Sequence, residues 1–120
     1  MVVGSVAAEI DAIAGLYTFR EADEVRVFLK KHPELFDLLE RTRPEIDRVF
    51  GSHLHGVFLE LRYDLEERHE QLFIKIRMDL DVRGADEYLN RFDDLWWAEV
   101  SYPHFGDIQA MVEWMPRVQS

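Results

Sequence analysis

Two histidines separated by one residue, in the segment "FGSHLHG", have the spacing in this sequence that best suits metal binding. Alternate side chains of a strand share a face, so the imidazoles of His53 and His55 are able to reach one metal ion. Two ligands without a third at a fixed spacing are a weak signal, and Gly51 and Gly56 place the pair in a turn. We therefore expect solvated turn histidines, no metal ion and no other cofactor.

A second candidate is the pair of carboxylates in the segment "DLD", Asp79 and Asp81, which follows a predicted strand. Carboxylates in this position are ligands that Mg²⁺ prefers. Acidic strand ends are common, however, in a chain with 24 acidic and 14 basic residues. We therefore interpret both aspartates as solvated surface residues.

Arg62, Tyr63 and His69 are the residue types with which a small endoribonuclease works. The formal net charge of −10 opposes the approach of nucleic acid and of anionic membrane surfaces. We therefore expect no catalytic residue, no nucleic-acid partner and no membrane partner. A metal-dependent or RNA-processing enzyme is the least favoured alternative.

The composition is that of one globular domain. The chain has 120 residues, 48% of them hydrophobic, which is enough for a single substantial core. Without cysteine there is no disulfide and no thiolate chemistry, so a reducing cytoplasm is the expected location. No apolar run approaches the roughly 20 residues needed to span a bilayer.

The N-terminal half is predicted to be helical. Residues 1–20 carry apolar residues at helical spacing that Gly15 interrupts, which predicts an arm or a short helix. Residues 21–120 are expected to form a single α+β domain that begins with two helices. The first ends at the turn before Pro33, and the second runs through Pro44 with a kink or a brief restart.

Alternating hydrophobicity predicts a β-hairpin in the middle of the chain. Every second residue is apolar in the segments "GVFLELRYD" and "QLFIKIRMD", which gives each strand one core face. We expect an antiparallel pair with Leu61 opposite Ile74, because that register also places Glu60 opposite Lys75.

A helix and a final strand complete the predicted fold. The segment "GADEYLNRFDDLWWAEV" has helical spacing, and "DIQAMVEWM" alternates again. The expected fold class is therefore α+β: N-terminal helices, an antiparallel β-hairpin, a helix and a final strand, with the helices on one face of a small three-stranded sheet. A right-handed crossover would lay the final strand parallel to the second strand, most simply beside the first.

Two adjacent tryptophans in the last predicted helix cannot both face one core if that helix is regular, because α-helical neighbours point about 100° apart. On a helical wheel, Trp96 and Leu95 fall within the apolar arc centred near Phe92, whereas Trp97 lies about 140° from that centre. The neighbours of Trp97 on the far side are polar: Asn90, Asp93 and Asp94. We predict an exposed Trp97 that anchors a protein partner. If the helix unwinds early, or the N-terminal arm covers this surface, Trp97 is ordinary packing instead.

The outer face of the sheet is a second predicted interface. Four apolar side chains are predicted to point there: Phe58, Phe73, Met111 and Met115. With these side chains, the face is more apolar than a solvated sheet face requires. It is either covered by residues 1–19 or packed against a second copy of the chain.

The pattern "VFLKKHPELFDLLERTRPEIDRVFG", followed by a strand hairpin and "RFDDLWW", resembles a group of small acidic bacterial proteins of unassigned activity. The resemblance covers residues 21–115 and leaves out the N-terminal arm. It implies a bacterial cytoplasmic origin, and it carries over no activity and no site residue.

The leading hypothesis from the sequence is a small acidic, non-enzymatic protein-interaction domain that inhibits a basic partner, as antitoxins and immunity proteins do. It depends on the net charge of −10 and on the predicted exposure of Trp97 beside Asp93 and Asp94. The alternative is a homodimeric scaffold or small-ligand module in which the sheet faces or the Trp97 surfaces pack together.

Overall fold

The computed structural model describes residues 6–104 and 106–114, apart from the side chains of Val82 and Trp114. These residues form four helices of at least nine residues and a four-stranded mixed sheet, so the predicted α+β class is confirmed. The helices are α1 (Val6–Ala14), α2 (Ala22–Lys31), α3 (Phe36–Phe50) and α4 (Val82–Phe92). The strands are β1 (Thr18–Phe19), β2 (Leu54–Asp64), β3 (His69–Met78) and β4 (Ile108–Trp114).

Helix α1 belongs to the core of the domain. Its Ile10 and Ile13 are buried, and the hydroxyl of Tyr17, just after the helix, donates a hydrogen bond of 2.7 Å to the carbonyl oxygen of Leu39 in α3. Burial raises the pKa of the Tyr17 hydroxyl far above its ordinary value. Residues 6–14 are therefore a helix that packs against α2 and α3.

Helices α2 and α3 meet at the proline that the sequence marks as a helix boundary. His32 has a non-helical conformation, because the residue before a proline avoids the helical region. A 3₁₀ turn, Pro33–Leu35, leads into α3, which continues through Pro44 as one helix without a restart. None of the helices in the described part of the chain is long and apolar enough to cross a membrane.

The sheet has the strand order β1-β2-β3-β4. Strand β1 pairs parallel with β2, the β2–β3 hairpin is antiparallel, and β4 pairs parallel with β3. The prediction that the final strand lies beside the first hairpin strand is wrong, because Thr18–Phe19 occupies that edge of β2. The sheet therefore has four strands and not three, and β4 forms its far edge.

The hairpin has a register two residues away from the predicted one. Leu61 pairs with Leu72 and not with Ile74. The carboxylate of Asp64 accepts hydrogen bonds from two backbone N–H groups of the turn, at 2.9 and 3.2 Å, and Asp64 stands opposite His69. This local hydrogen bonding closes a short turn, and the turn outweighs the cross-strand charge pair that favours the other register.

One hydrophobic core joins the helices to the inner face of the sheet. The inner face of β2 and β3 is formed by buried apolar side chains: Val57, Leu59, Leu72, Ile74, Ile76 and Met78. The strand period places these residues on one side, and the residues between them point to the opposite, outer face.

Candidate functional site

The two tryptophans lie in a π-helical turn, Asp93–Trp97, between α4 and the short helix α5 (Ala98–Ser101). The i to i+5 hydrogen bonds of a π-helix put more residues into each turn than an α-helix has, so each residue advances by a smaller angle. Trp97 therefore turns inward and is 6% exposed, whereas Leu95 turns outward and is 57% exposed. The predictions that Trp97 is exposed and that Leu95 faces the core are both wrong.

Both tryptophans pack against the domain. The indole of Trp97 stacks on Phe92, with the ring centroids 6.0 Å apart, and Phe92 in turn lies 5.6 Å from Phe50. Trp96 is half-buried, and its Nε1 donates a hydrogen bond of 3.1 Å to the hydroxyl of the buried Thr42. The π turn thus lets one helix bury most of two adjacent indoles.

The three polar residues that the sequence groups with Trp97 are in different environments. Asn90 and Asp94 are exposed, and Asp93 is half-buried. Burial raises the pKa of the Asp93 carboxyl, and the neighbouring charge of Asp94 raises it further. A cation placed beside these two carboxylates would offset their repulsion.

A groove of about 270 Å³ lies between α5 and β4. Its lining residues are Asp93, Trp97, Ala98, Ser101, Tyr102, Ile108, Gln109 and Ala110. Its three strand residues, Ile108, Gln109 and Ala110, are the first three of β4, so the groove lies at the start of this strand. Strand β3 is paired with one edge of β4, which leaves the other edge without a partner strand among the described residues.

That edge of β4 is an open site for backbone pairing. Within residues 6–104 and 106–114, no strand pairs with β4 on the side away from β3. The seven residues "IQAMVEW" contain one charge, Glu113, and no proline. Proteins commonly protect an edge strand with lysines, prolines or bulges, or by making it very short, as the two-residue β1 is.

The outer face of the sheet is shielded by its own charged side chains. The guanidinium of Arg20 lies 4.2 Å from the centre of the Phe58 ring and pairs with Glu113 at 2.7 Å. Lys75 is 5% exposed, and its Nζ lies 5.7 Å from the centre of the Phe73 ring. Further contacts on this face join Arg77 to Phe58 and Glu113, Arg62 to Phe73 and Glu60, and Arg20 to Glu60.

These contacts account for the two phenylalanines of the predicted sheet-face interface. Phe58 and Phe73 are half-buried beneath cations, and Met111 is 37% exposed. Met115 lies outside the described residues. The rings are shielded by side chains of the sheet and by Arg20, whereas the N-terminal helix α1 packs in the core.

The ion pairs of the outer face should make stability depend on pH. Hydrogen bonding to Arg20 lowers the pKa of Glu113 below its usual value of 4.5. A carboxyl whose pKa is lower in the folded chain contributes stability above its unfolded pKa, and this contribution is lost as the pH falls through the folded pKa. We therefore expect the urea midpoint of the wild type to fall below about pH 4.5, and Glu113→Gln to show a shallower fall.

Glu67→Gln, in the exposed hairpin turn, is the matched control for that titration and should retain the wild-type slope. An identical slope for Glu113→Gln and the wild type would show that Glu113 does not contribute to the acid sensitivity.

The structure brings the H-x-H pair and one aspartate of the "DLD" segment together. Nδ1 of His53 lies 2.9 Å from Oδ1 of Asp79, and Nε2 of His55 lies 3.4 Å from Oδ2. The hydrogen bond from His53 lowers the pKa of Asp79. Each imidazole contacts a different carboxylate oxygen, and these three residues do not form a group whose ligand atoms all lie within 4.8 Å of one another. Asp81 instead caps α4, because its carboxylate accepts a hydrogen bond of 2.9 Å from the N–H of Gly84.

An open cleft of about 720 Å³ at the hairpin end brings Arg62, Tyr63 and His69 to one place. Arg62 donates a hydrogen bond of 2.8 Å to Glu60, and Nε2 of His69 donates to the carbonyl oxygen of Gly106. The cleft is also lined by three carboxylates: Asp64, Glu66 and Glu67. It gathers the residue types of a ribonuclease, but its charge disfavours a phosphate backbone.

A separate cluster of one histidine and two carboxylates has no recognisable spacing in the sequence. His32, Glu34 and Asp107 each offer one ligand atom, and these atoms all lie within 4.8 Å of one another. Among the described residues, no other group of three or more histidine, cysteine, aspartate or glutamate side chains meets this distance. Asp107 is far from the other two along the chain, so no spacing rule finds the group.

Comparison of the chain with family models, with curated proteins and with solved structures found no match. Function must therefore be inferred from the geometry of the described residues.

Proposed function

We propose that this chain is a non-enzymatic protein-interaction domain that takes up an extended, basic segment of a partner protein along the free edge of β4. In such strand addition, backbone hydrogen bonds supply affinity and the pockets beside the edge supply specificity. The observation that carries this proposal is the seven-residue edge with a single charge, next to a groove lined by Trp97. An inhibitor of the antitoxin or immunity kind would hold a basic partner in this way.

Every second residue of β4 offers its backbone groups to a partner. The carbonyl oxygen of Asp107 accepts a hydrogen bond of 2.8 Å from the N–H of Leu72, and Leu72 is paired with Ile108. In a parallel ladder this pattern directs the backbone groups of the odd-numbered β4 residues at β3. The groups of Ile108, Ala110 and Val112 therefore point to the free edge, at the spacing an added strand needs.

Charge selects a basic segment. Asp93 lines the groove, and the charge of Asp94 is close enough to raise the pKa of the Asp93 carboxyl. A lysine or arginine of the partner would therefore meet one carboxylate in the groove and the field of a second. Tyr102 is exposed at the same groove, where its ring is free to pack against the stem of such a side chain. The net charge of −10 also speeds the approach of a basic partner.

Synthetic peptides test this mode of binding without knowledge of the partner. An eight-residue peptide of alternating lysine and valine presents cations on one face and apolar side chains on the other. We expect it to bind, whereas the same peptide N-methylated on alternate amides should bind weakly, because methylation removes donors and keeps the charge. Alternating glutamate and valine should not bind. Calorimetry at two salt concentrations measures the affinity of the chain for each of the three peptides.

Ala110→Pro should weaken binding of the lysine–valine peptide by about tenfold, equivalent to about 1.4 kcal/mol. Proline removes the free-edge N–H of residue 110 and places its ring in the path of the added strand. The fold should persist, because the ladder with β3 uses the N–H groups of other residues, and thermal melts followed by circular dichroism check this. Ala110→Ser keeps the N–H and should bind like the wild type.

Two results would overturn strand addition by a basic partner. Equal binding of the N-methylated peptide, or unchanged binding by Ala110→Pro, would mean that cations adsorb to the acidic surface without pairing. If light scattering shows a dimer that Ala110→Pro converts to a monomer, the edge pairs with a second copy, and the homodimeric scaffold replaces the inhibitor.

A further inference from the structure

We infer that His32, Glu34 and Asp107 form a binding site for a divalent transition-metal ion such as Zn²⁺. One ligand atom from each residue lies within 4.8 Å of the other two. Donors that share a zinc ion lie about 2.0–2.2 Å from it, and so roughly 3–4 Å from one another. Small side-chain rotations therefore bring the three donors onto one ion. The inference is independent of the proposed partner binding.

Two of the three donors are held in place by the fold. His32 directly follows α2, and its ring stacks on Phe28 with the ring centroids 4.2 Å apart. The N–H of Asp107 donates a hydrogen bond of 2.9 Å to the carbonyl oxygen of His104, and the carbonyl oxygen of Asp107 accepts from Leu72. Because the backbone groups of His32 and Asp107 already form hydrogen bonds, metal binding would mainly have to order side chains.

The imidazole of His69 lies beside Asp107. Its Nε2 lies 3.6 Å from Oδ1 of Asp107, and the same atom donates to the carbonyl oxygen of Gly106. Gly106 has a φ of 96°, which an L side chain rarely adopts, so the turn that presents Asp107 depends on glycine. At 3.6 Å, His69 is too far from the carboxylate for a hydrogen bond, so we expect it to influence the site less than the three donors do.

The donor set also discriminates between ions. Imidazole nitrogen suits Zn²⁺, Cu²⁺, Fe²⁺ and Ni²⁺, whereas Mg²⁺ and Ca²⁺ prefer oxygen ligands alone. Nδ1 of His32 lies 3.0 Å from Oε2 of Glu34, so these two donors are already as close to each other as two ligands of one zinc ion.

Titration of the full chain with Zn²⁺ in a calorimeter tests the site. We expect one ion per chain, and Glu34→Gln and Asp107→Asn should each weaken binding at least about tenfold, because each removes an anionic ligand and keeps the side-chain shape. His69→Ala should weaken binding less than either. The matched control is the double variant His53→Ala with His55→Ala, which removes the H-x-H pair and should leave the affinity unchanged. Melting temperatures measured before Zn²⁺ is added verify that each variant is folded.

Visible absorption of the Co²⁺-loaded chain gives a second readout, because the spectrum reports the geometry around the ion. We expect the wild-type spectrum to be lost in Asp107→Asn and kept in the double histidine control. Unchanged Zn²⁺ affinity in both carboxylate variants would overturn the inference. Loss of binding in the double histidine control instead would place the ion at His53 and His55 and overturn it equally.

Discussion

Replacing Trp97 with alanine is expected to lower the free energy of unfolding by about 3–5 kcal/mol. The indole is nearly inaccessible and stacks on Phe92, so its removal loses apolar burial and leaves a cavity beside the Phe92 ring. An exposed Trp97, as the regular helical wheel predicts, would leave stability almost unchanged. Urea unfolding followed by circular dichroism measures the difference without depending on indole fluorescence.

Leu95→Ala is the matched control, because Leu95 lies two residues before Trp97 on the same π turn but points into solvent. Its effect should stay within about 0.5 kcal/mol. A regular α-helix would reverse the order of the two variants. A larger loss for Leu95→Ala than for Trp97→Ala would therefore contradict the π turn.

Phe92→Ala should destabilise the fold by a similar amount, about 3–5 kcal/mol. The ring is fully buried between two other aromatic rings, those of Phe50 at 5.6 Å and Trp97 at 6.0 Å. Because neighbouring cavities merge, the double variant with Trp97→Ala should cost less than the sum of the single variants, by about 0.5–3 kcal/mol. Urea titrations of the wild type, the two single variants and the double variant give the four free energies of unfolding that this double-mutant cycle compares.

Arg91→Ala, at the position before Phe92, is the control for this cycle, since Arg91 is exposed and lies over the ring of Tyr88. It should change stability by no more than about 0.5 kcal/mol and should add to Trp97→Ala. Strict additivity between Phe92→Ala and Trp97→Ala would mean that the two rings do not share one packed cluster.

The features predicted correctly from the sequence are local ones. The α+β class, the helix boundary before Pro33 and the hairpin follow from hydrophobic spacing and from the backbone preferences of single residues. Each depends on residues a few positions apart, so the chain carries the signal before it folds.

The candidate sites were less accessible to sequence reasoning. Asp93 and Trp97 do share a groove, as their proximity suggests, but the groove is completed by Tyr102 and by β4. His53 and His55 both contact the carboxylate of Asp79, whereas His32 and Glu34 are joined by Asp107 from a distant part of the chain.

By itself, the sequence determined which faces of the helices and strands are apolar, and therefore the fold class and most of the core. Only the tertiary structure decided the phase of the last helix, the hairpin register and the position of β4. The phase depends on a π turn that packs two indoles, the register on the turn bonds of Asp64, and the position of β4 on the edge that β1 already occupies. In each case the hydrophobic pattern is compatible with more than one packing, and it is the contacts formed in the folded chain that determine which packing has the lower free energy.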